Sequence, residues 1–232
     1  MYNDRQVIAI VLAGGKGQRF GKDIPKQLYE LNGHPIIYYS LKVFNSDHFI
    51  DEIIVVSNKE YLEATRNICN IFHKVSDVVV GGETRSLSSM NGVMSVRNLN
   101  SYVLIHDSAR PFVTNELIRQ LLSNVEETGA VIPVLRSVDT LVEVRSDRYV
   151  ANTLDRNSVF RVQTPQCFKY EVIFEAYRRY LGKFVDLPDD SSLVIKEGIS
   201  RVKTIEGDER NIKITTQEDI LISINFSSFY SF

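Results

Sequence analysis

Short β-branched runs separated by longer amphipathic stretches leave this chain few folds to choose from. VIAIVLA (7–13), IDEIIVVS (50–57), VSDVVVGG (75–82), YVLIHD (102–107) and AVIPVL (130–135) have the length and composition of buried strands. Between them, PIIYYSLKVFN (35–45), a stretch ending at Ile71, and segments 84–98 and 114–128 carry helical spacing. Strands alternating with helices through right-handed crossovers predict an α/β fold of Rossmann-like kind, a mostly parallel sheet with helices on both faces.

The pattern changes after Leu135. Residues 136–156 alternate polar and apolar with little helical character, which predicts a projecting β-arm. YEVIFEAYRRYL (170–181) returns to helix, and ISRVKTIEG and RNIKITT have the look of late strands. A last helix is expected from about residue 216, where Thr216 and Asp219 form an imperfect capping box. With no repeat, low-complexity tract or linker, residues 1–232 are expected to form a single domain.

The charge balance excludes a global polyelectrolyte. Twenty-seven basic and 29 acidic residues give a formal net charge of −2, so nucleic acid would need a local patch. No basic stripe interleaved with aromatics supplies one, and no nucleic-acid partner is expected. Cys69 and Cys167 lack metal-ligand spacing, and a reduced setting is the default. MYNDRQ has no basic n-region and VIAIVLA is too short to span a bilayer. A soluble, cytoplasmic protein without a membrane partner is the expectation, its aromatic, serine-rich tail INFSSFYSF docking on the body or fraying.

The first strand runs into VLAGGKGQRFGKDIPKQL (11–28), where Gly14, Gly15, Gly17 and Gly21 alternate with Lys16, Arg19, Lys22 and Lys26. Ligands of α/β sheets bind beyond the carboxyl ends of strands, and glycines let backbone N–H groups approach an anion. A polyphosphate is the natural guest; a basic surface loop with glycine turns is the plainer alternative. The stretch fails the Walker pattern because Asp23 follows Gly21-Lys22, and it fails GxGxxG because Phe20 takes the third glycine position. That failure also weakens an NAD-dependent oxidoreductase.

LAGGKGQRFG…PKQ resembles the signature loop of the sugar-phosphate nucleotidyltransferases. With GGETRSLSS, HDSARPF, VDT, TLDR, QTPQCF, DDSSL and NIKITTQED in order, nearly the whole chain resembles the 2-C-methyl-D-erythritol 4-phosphate cytidylyltransferase family. A close sister is the ribitol-5-phosphate cytidylyltransferase family. The resemblance implies a nucleotidyltransferase fold and a reaction joining CTP to a sugar-alcohol phosphate with release of pyrophosphate. An acceptor phosphate is already anionic near neutral pH, so such chemistry needs positioning and cations rather than a general base.

By that resemblance Arg19, Lys26 and Lys213 are catalytic, with Lys213 near the α-phosphate. Ala13, Gly14, Gly15 and Gly17 would hold the CTP phosphates, and Gly82, Glu83 and Ser88 would read the base. Asp107 would meet Mg²⁺ and, with Arg110, the acceptor. Thr140 and Arg156 would cross on the arm to complete a partner's acceptor site, making a homodimer. Lys16 and Lys22 are expected as solvated charges or secondary phosphate contacts. His106 is expected to pack rather than catalyse, and His34, His48 and His73 show no ligand spacing.

LAGG in place of the frequent LAAG and Phe20 in place of methionine keep small or apolar character. Pro188, in PDD, removes a hydroxyl and an N–H, which puts a substrate contact there in question. TLDR favours methylerythritol phosphate as acceptor, whereas AGGKG is shared more readily with the ribitol branch. A non-catalytic nucleotide-binding module is the rival of another class; retention of Arg19, Lys26, Asp107 and Lys213 together argues against it.

Overall fold

The computed structural model describes residues 1–15, 24–181 and 187–229, the last five as backbone only. The chain begins with β1 (Gln6–Ala13), then a single 3-10 turn at Lys26–Leu28 and a small ribbon of β2 (Glu30–Leu31) and β3 (His34–Pro35). There follow α1 (Ile36–Ser46), β4 (Glu52–Ser57), α2 (Leu62–Cys69), β5 (Val75–Val80) and α3 (Arg85–Met94). Next come β6 (Ser101–Asp107), α4 (Asn115–Thr128), β7 (Ala130–Arg136), β8 (Val142–Val144) and β9 (Val150–Thr153). The chain continues with β10 (Phe160–Val162), β11 (Gln166–Lys169), α5 (Tyr170–Tyr180), α6 (Asp190–Lys196), β12 (Lys203–Glu206) and α7 (Gln217–Phe229).

The main sheet runs β10–β7–β11–β6–β1–β4–β5, and β12 also pairs with β7. β1 lies parallel to β4 and β6, β4 to β5, and β12 to β7. Against this, β10 and β11 run antiparallel to their neighbours. The expected α/β architecture is therefore present, with two short reversed strands that composition did not announce. β8 and β9 pair only with each other, as an arm within the predicted 136–156 stretch.

β1 is buried on both faces, and its alternation divides the core. Val7, Ala9, Val11 and Ala13 pack with Ile37, Leu41 and Phe44 of α1 and Leu117, Leu121 and Val125 of α4. Ile8, Ile10 and Leu12 face Val93 of α3 and Ile173 and Tyr177 of α5. A smaller cluster joins Leu31, Ile36, Tyr39, Phe112, Ile214 and Ile220, tying the C-terminal segment to the ribbon and α1. Helix ends follow local chemistry. Thr114 caps α4, which stops at Gly129 with φ of 75°, a conformation that favours glycine. At α7, Thr216 and Asp219 exchange the two bonds of a capping box: Asp219 accepts from Thr216 N–H at 2.9 Å and donates its own N–H to Thr216 Oγ1 at 3.4 Å.

RNIKITT is not a strand, which corrects the expectation for the segment carrying Lys213. Its backbone is satisfied by side chains instead of a ladder. The Asn211 carbonyl accepts from Arg110 Nη1 at 2.8 Å and Gln163 Nε2 at 3.1 Å, and Asn211 Nδ2 donates to the Thr164 carbonyl at 2.8 Å. Ile214 N–H donates to the Ala109 carbonyl at 2.8 Å, and its side chain is fully buried. Cys69 and Cys167 are buried free thiols.

His106 sits wholly buried at the end of β6, beside the edge of Phe44. Its Nε2 lies 3.0 Å from the Arg110 carbonyl, which can only accept, so that nitrogen carries the proton. Nδ1 then accepts from the Thr164 hydroxyl at 3.2 Å, while Thr164 Oγ1 accepts the Asp107 N–H at 3.1 Å. The ring is thus held neutral as a packing residue, in line with the sequence reading.

Two stability predictions follow from this packing. A Cβ on Gly92 of α3 would lie 2.6 Å from Ile10 Cγ2 and 2.9 Å from Val56 Cγ2. Gly92→Ala should therefore cost about 1–3 kcal/mol in urea unfolding. Burial, outweighing the hydrogen bonds to the ring, pushes His106 down from its ordinary 6.5 to about 4. The unfolded chain takes up the proton first as pH falls, so stability is lost between those two values, by up to about 3 kcal/mol. The urea midpoint should fall more steeply from pH 7 to pH 4.5 in the native chain than in His106→Gln; equal slopes would acquit this ring.

Candidate active site

The chain runs outward from β1 to β4 and β5, then returns to place β6 on the other side of β1. Such a reversal opens a crevice beyond the carboxyl ends of the strands. A cleft of about 460 Å³ lies there, lined from β1 and its exit by Leu12, Gly14 and Gly15 and from the 3-10 turn by Lys26 and Gln27. Gly82, Glu83, Thr84, Arg85 and Ser88 approach from the start of α3, Asp107 from β6, and Lys213 from the C-terminal segment.

Gln27 holds the mouth of the opening loop. It is buried, and its Nε2 donates to the carbonyls of Ala13 at 2.6 Å and Gly15 at 3.0 Å. Pro25 precedes Lys26 in extended geometry with φ of −60° and ψ of 139°, so Lys26 enters the 3-10 turn on a constrained backbone. Gly17 and Arg19, with Lys16 and Lys22, lie outside the described residues.

The α3 entrance is shaped by contact. A Cβ on Gly82 would stand 2.3 Å from Leu87 Cβ, and one on Gly81 would stand 2.7 Å from Ser88 Oγ. Ser88 Oγ lies 2.9 Å from the Thr84 carbonyl and accepts the Gly82 N–H at 3.1 Å. A hydroxyl so engaged keeps one lone pair unused. Thr84 caps α3 by accepting from Leu87 N–H, beside Gly82, Glu83 and Ser88 of the cleft lining.

Asp107 is the electrostatic centre. Its Oδ2 accepts from Lys213 Nζ at 2.7 Å, and its Oδ1 lies 3.1 Å from Arg85 Nη2. Burial alone would raise the carboxyl, but Arg85 and Lys213 outweigh it and hold Asp107 well below the usual carboxylate range. Arg85 also reaches Asp190, with Nη1 2.9 Å from Oδ2. Burial opposes its charge, and Asp190 and then Asp107 more than restore it. Neither Arg85 nor Asp190 was singled out from sequence. Both lie inside conspicuous motifs, GGETRS and DDSSL, but nothing local announces that the two meet.

Other expected residues lie apart from the cleft. Arg110 is buried, with Nη2 on the Val162 carbonyl at 3.3 Å and Nη1 on Asn211. Thr140 and Arg156 meet each other on the exposed arm, Nη2 to Oγ1 at 3.4 Å, and neither lines this chain's cleft. Among the described residues the cleft presents three cations, Lys26, Arg85 and Lys213, two carboxylates, Asp107 and Glu83, and backbone amides. Ser108 Oγ donates to the Leu12 carbonyl at 2.7 Å, and His106 is behind the wall. Among the described residues the lining therefore holds no nucleophile–base pair, and its chemistry is the gathering of anions.

The chain is 41% identical over 219 residues to the 2-C-methyl-D-erythritol 4-phosphate cytidylyltransferase of Lachnospira eligens, covering 93% of this chain and 96% of the relative. It is 37% identical to the Thermosipho africanus protein of the same name, over 92% and 95%. The crystal structure of 4-diphosphocytidyl-2C-methyl-D-erythritol synthase from Anaerococcus prevotii superposes with a TM-score of 0.85 at 32% identity, over 97% of this chain and 96% of that one. The family model for 2-C-methyl-D-erythritol 4-phosphate cytidylyltransferase matches residues 7–226, and the chain belongs to that family.

Proposed function

We propose that this chain transfers the cytidylyl group of CTP to the phosphate of 2-C-methyl-D-erythritol 4-phosphate, within isoprenoid biosynthesis. An acceptor phosphate oxygen forms a bond to the α-phosphorus, the bond from that phosphorus to the β-phosphate bridge breaks, and pyrophosphate leaves. The observation that carries the reading is the cleft where Lys26, Arg85 and Lys213 converge without a general base. Anion-to-anion transfer requires that arrangement, because repulsion between the reactants and charge on the leaving group are the barrier. The relatives named above carry methylerythritol in their names, which favours this acceptor over ribitol 5-phosphate.

In this reading Lys26 and Arg19 neutralise the triphosphate and Gly14 and Gly15 border it, while Ala13 and Gly17 keep the CTP-binding role that the family resemblance implies. Gly82 and Glu83 border the base, and the remaining lone pair of Ser88 can accept from a base N–H. Lys213 stands by the α-phosphate, and Asp107 keeps it oriented. Arg110 acts on the acceptor side through the segment it clamps. A hard divalent cation fits Asp107 as a single protein contact, since Oδ2 keeps a lone pair after its bond from Lys213. Among the described residues no cluster of three or more His, Cys, Asp or Glu could cage such an ion, as suits Mg²⁺ that keeps water and phosphate ligands. When bound, Mg²⁺ would supply charge neutralisation on the nucleotide phosphates.

The arm supports a homodimer as the working state. Val138, Val142, Val144, Tyr149 and Val150 are exposed there, an apolar surface that a second copy would cover. Thr140 and Arg156 would then reach the partner's acceptor site. No helix among the described residues is long and apolar enough to cross a membrane, and a cytoplasmic setting suits the free thiols.

Pyrophosphate should appear when the protein is given CTP, methylerythritol phosphate and Mg²⁺, should be lost on chelation, and should be far slower with ribitol 5-phosphate. Lys26→Ala should reduce turnover on the order of 10²-fold or more with the fold intact by circular dichroism. Arg156→Ala should raise the KM for the acceptor more than that for CTP, and light scattering should give twice the mass of the chain. A monomer with full activity would defeat the shared-site reading.

A further inference from the structure

We propose that Arg85 is a positioning residue, which sets Lys213 by fixing the Asp107 carboxylate between them. The inference rests on the transfer reading above and adds to it a residue whose role is to aim another cation.

The geometry is a chain of charges crossing from the interior to the cleft. At its deep end Asp190 is fully buried, accepting from the Tyr177 hydroxyl at 2.6 Å and from the Ser89 hydroxyl. Arg85, at the first position of α3, spans from Asp190 Oδ2 to Asp107 Oδ1, with Nε 3.2 Å and Nη2 3.1 Å from the latter. Asp107 then offers its other oxygen to Lys213 at 2.7 Å. Nε donates to Asp107 while Nη1 and Nη2 meet the two carboxylates as ion pairs, so one planar guanidinium spans both acids, a reach that a lysine ammonium at the same place lacks. Because Asp190 is itself anchored by two hydroxyls, Arg85 has little freedom, and neither has the carboxylate it holds.

Lys213 needs such an aim because the anchors at Asn211 and Ile214 hold its backbone and leave its long side chain to be directed by other contacts. Its side chain is 37% exposed, so without Asp107 the ammonium would sample solvent. Arg85 also shares the charge of Asp107. A carboxylate facing Lys213 alone would hold that ammonium more tightly and compete with a phosphate for it.

The test is steady-state kinetics and crystallography on Arg85→Lys, alone and combined with Asp107→Asn. Arg85→Lys should lower kcat about tenfold or more while the KM for CTP stays within about threefold. In the Asp107→Asn background the same change should cost no more than about twofold, since the path to Lys213 is already cut. The Arg85→Lys crystal structure should show Asp107 rotated and the contact to Lys213 Nζ broken. Losses that multiply independently, or an unmoved Asp107–Lys213 pair with native turnover, would overturn the proposal. If Arg85→Lys does not fold, Tyr177→Phe enters the same chain at its far end, and a kcat reduced about two- to fivefold is expected; native kcat there would overturn it. A native protein silent with CTP and methylerythritol phosphate would strike the transfer reading, and the crystal structure would still decide whether Arg85 sets Lys213.

Discussion

A carboxylate at the centre of an anion-gathering cleft looks misplaced until its partners are counted. Asp107 is nearly buried and stays ionised because Arg85 and Lys213 face its two oxygens. Removing one partner from a buried pair leaves an uncompensated charge, which typically costs several kcal/mol. Strand β6, helix α3 and the segment after Asn211 are therefore pinned at one point by electrostatics rather than by packing. The carboxylate also tempers the cations around it, so that the cleft is positive without being saturated.

The scaffold reaches that point through contacts that tolerate little change. β1 is covered on both sides and delivers Gly14 and Gly15 to the cleft, and Gln27 bonds the carbonyls on either side of Gly14. Gly81 and Gly82 are required by steric fit to Ser88 and Leu87, independently of any phosphate. A glycine pair that invites a nucleotide reading thus has a packing cause as well. Its consequence is functional, since the fit brings the first turn of α3, and Arg85 with it, to the edge of β6.

The C-terminal segment shows how a loop can be placed as firmly as a strand. Asn211 is fully buried and held by Arg110, Gln163 and Thr164, while Ile214 drops into the small cluster with Phe112 and Ile220. Lys213 stands between these two anchors. Alternation along NIKIT would turn Ile212 and Ile214 to the core and Lys213 away from it; Ile214 is buried, Ile212 is half-buried, and Lys213 lines the cleft. The expectation of a ladder fails because side chains supply the bonds that a neighbouring strand would have supplied.

Local chemistry was enough to determine a good deal here. Apolar runs too long to expose and helices with one apolar face made an α/β sheet unavoidable, and the capping pair Thr216–Asp219 marked α7. Glycines and cations at a strand end pointed to the cleft beyond β1, and the ordered motifs marked the family. Strands β10 and β11 were hidden because they are short and their pairing with β6 and β7 is decided across the sheet. Arg85, Asp190 and the clasp around Asn211 were hidden for the same reason. Burial and pairing of a charged side chain depend on residues distant in the chain, and periodicity carries only what repeats nearby. Nearby residues suffice to dictate which layers form and which residue types gather at the strand ends. Which charges touch is settled in three dimensions, by the distance between elements once the core has closed.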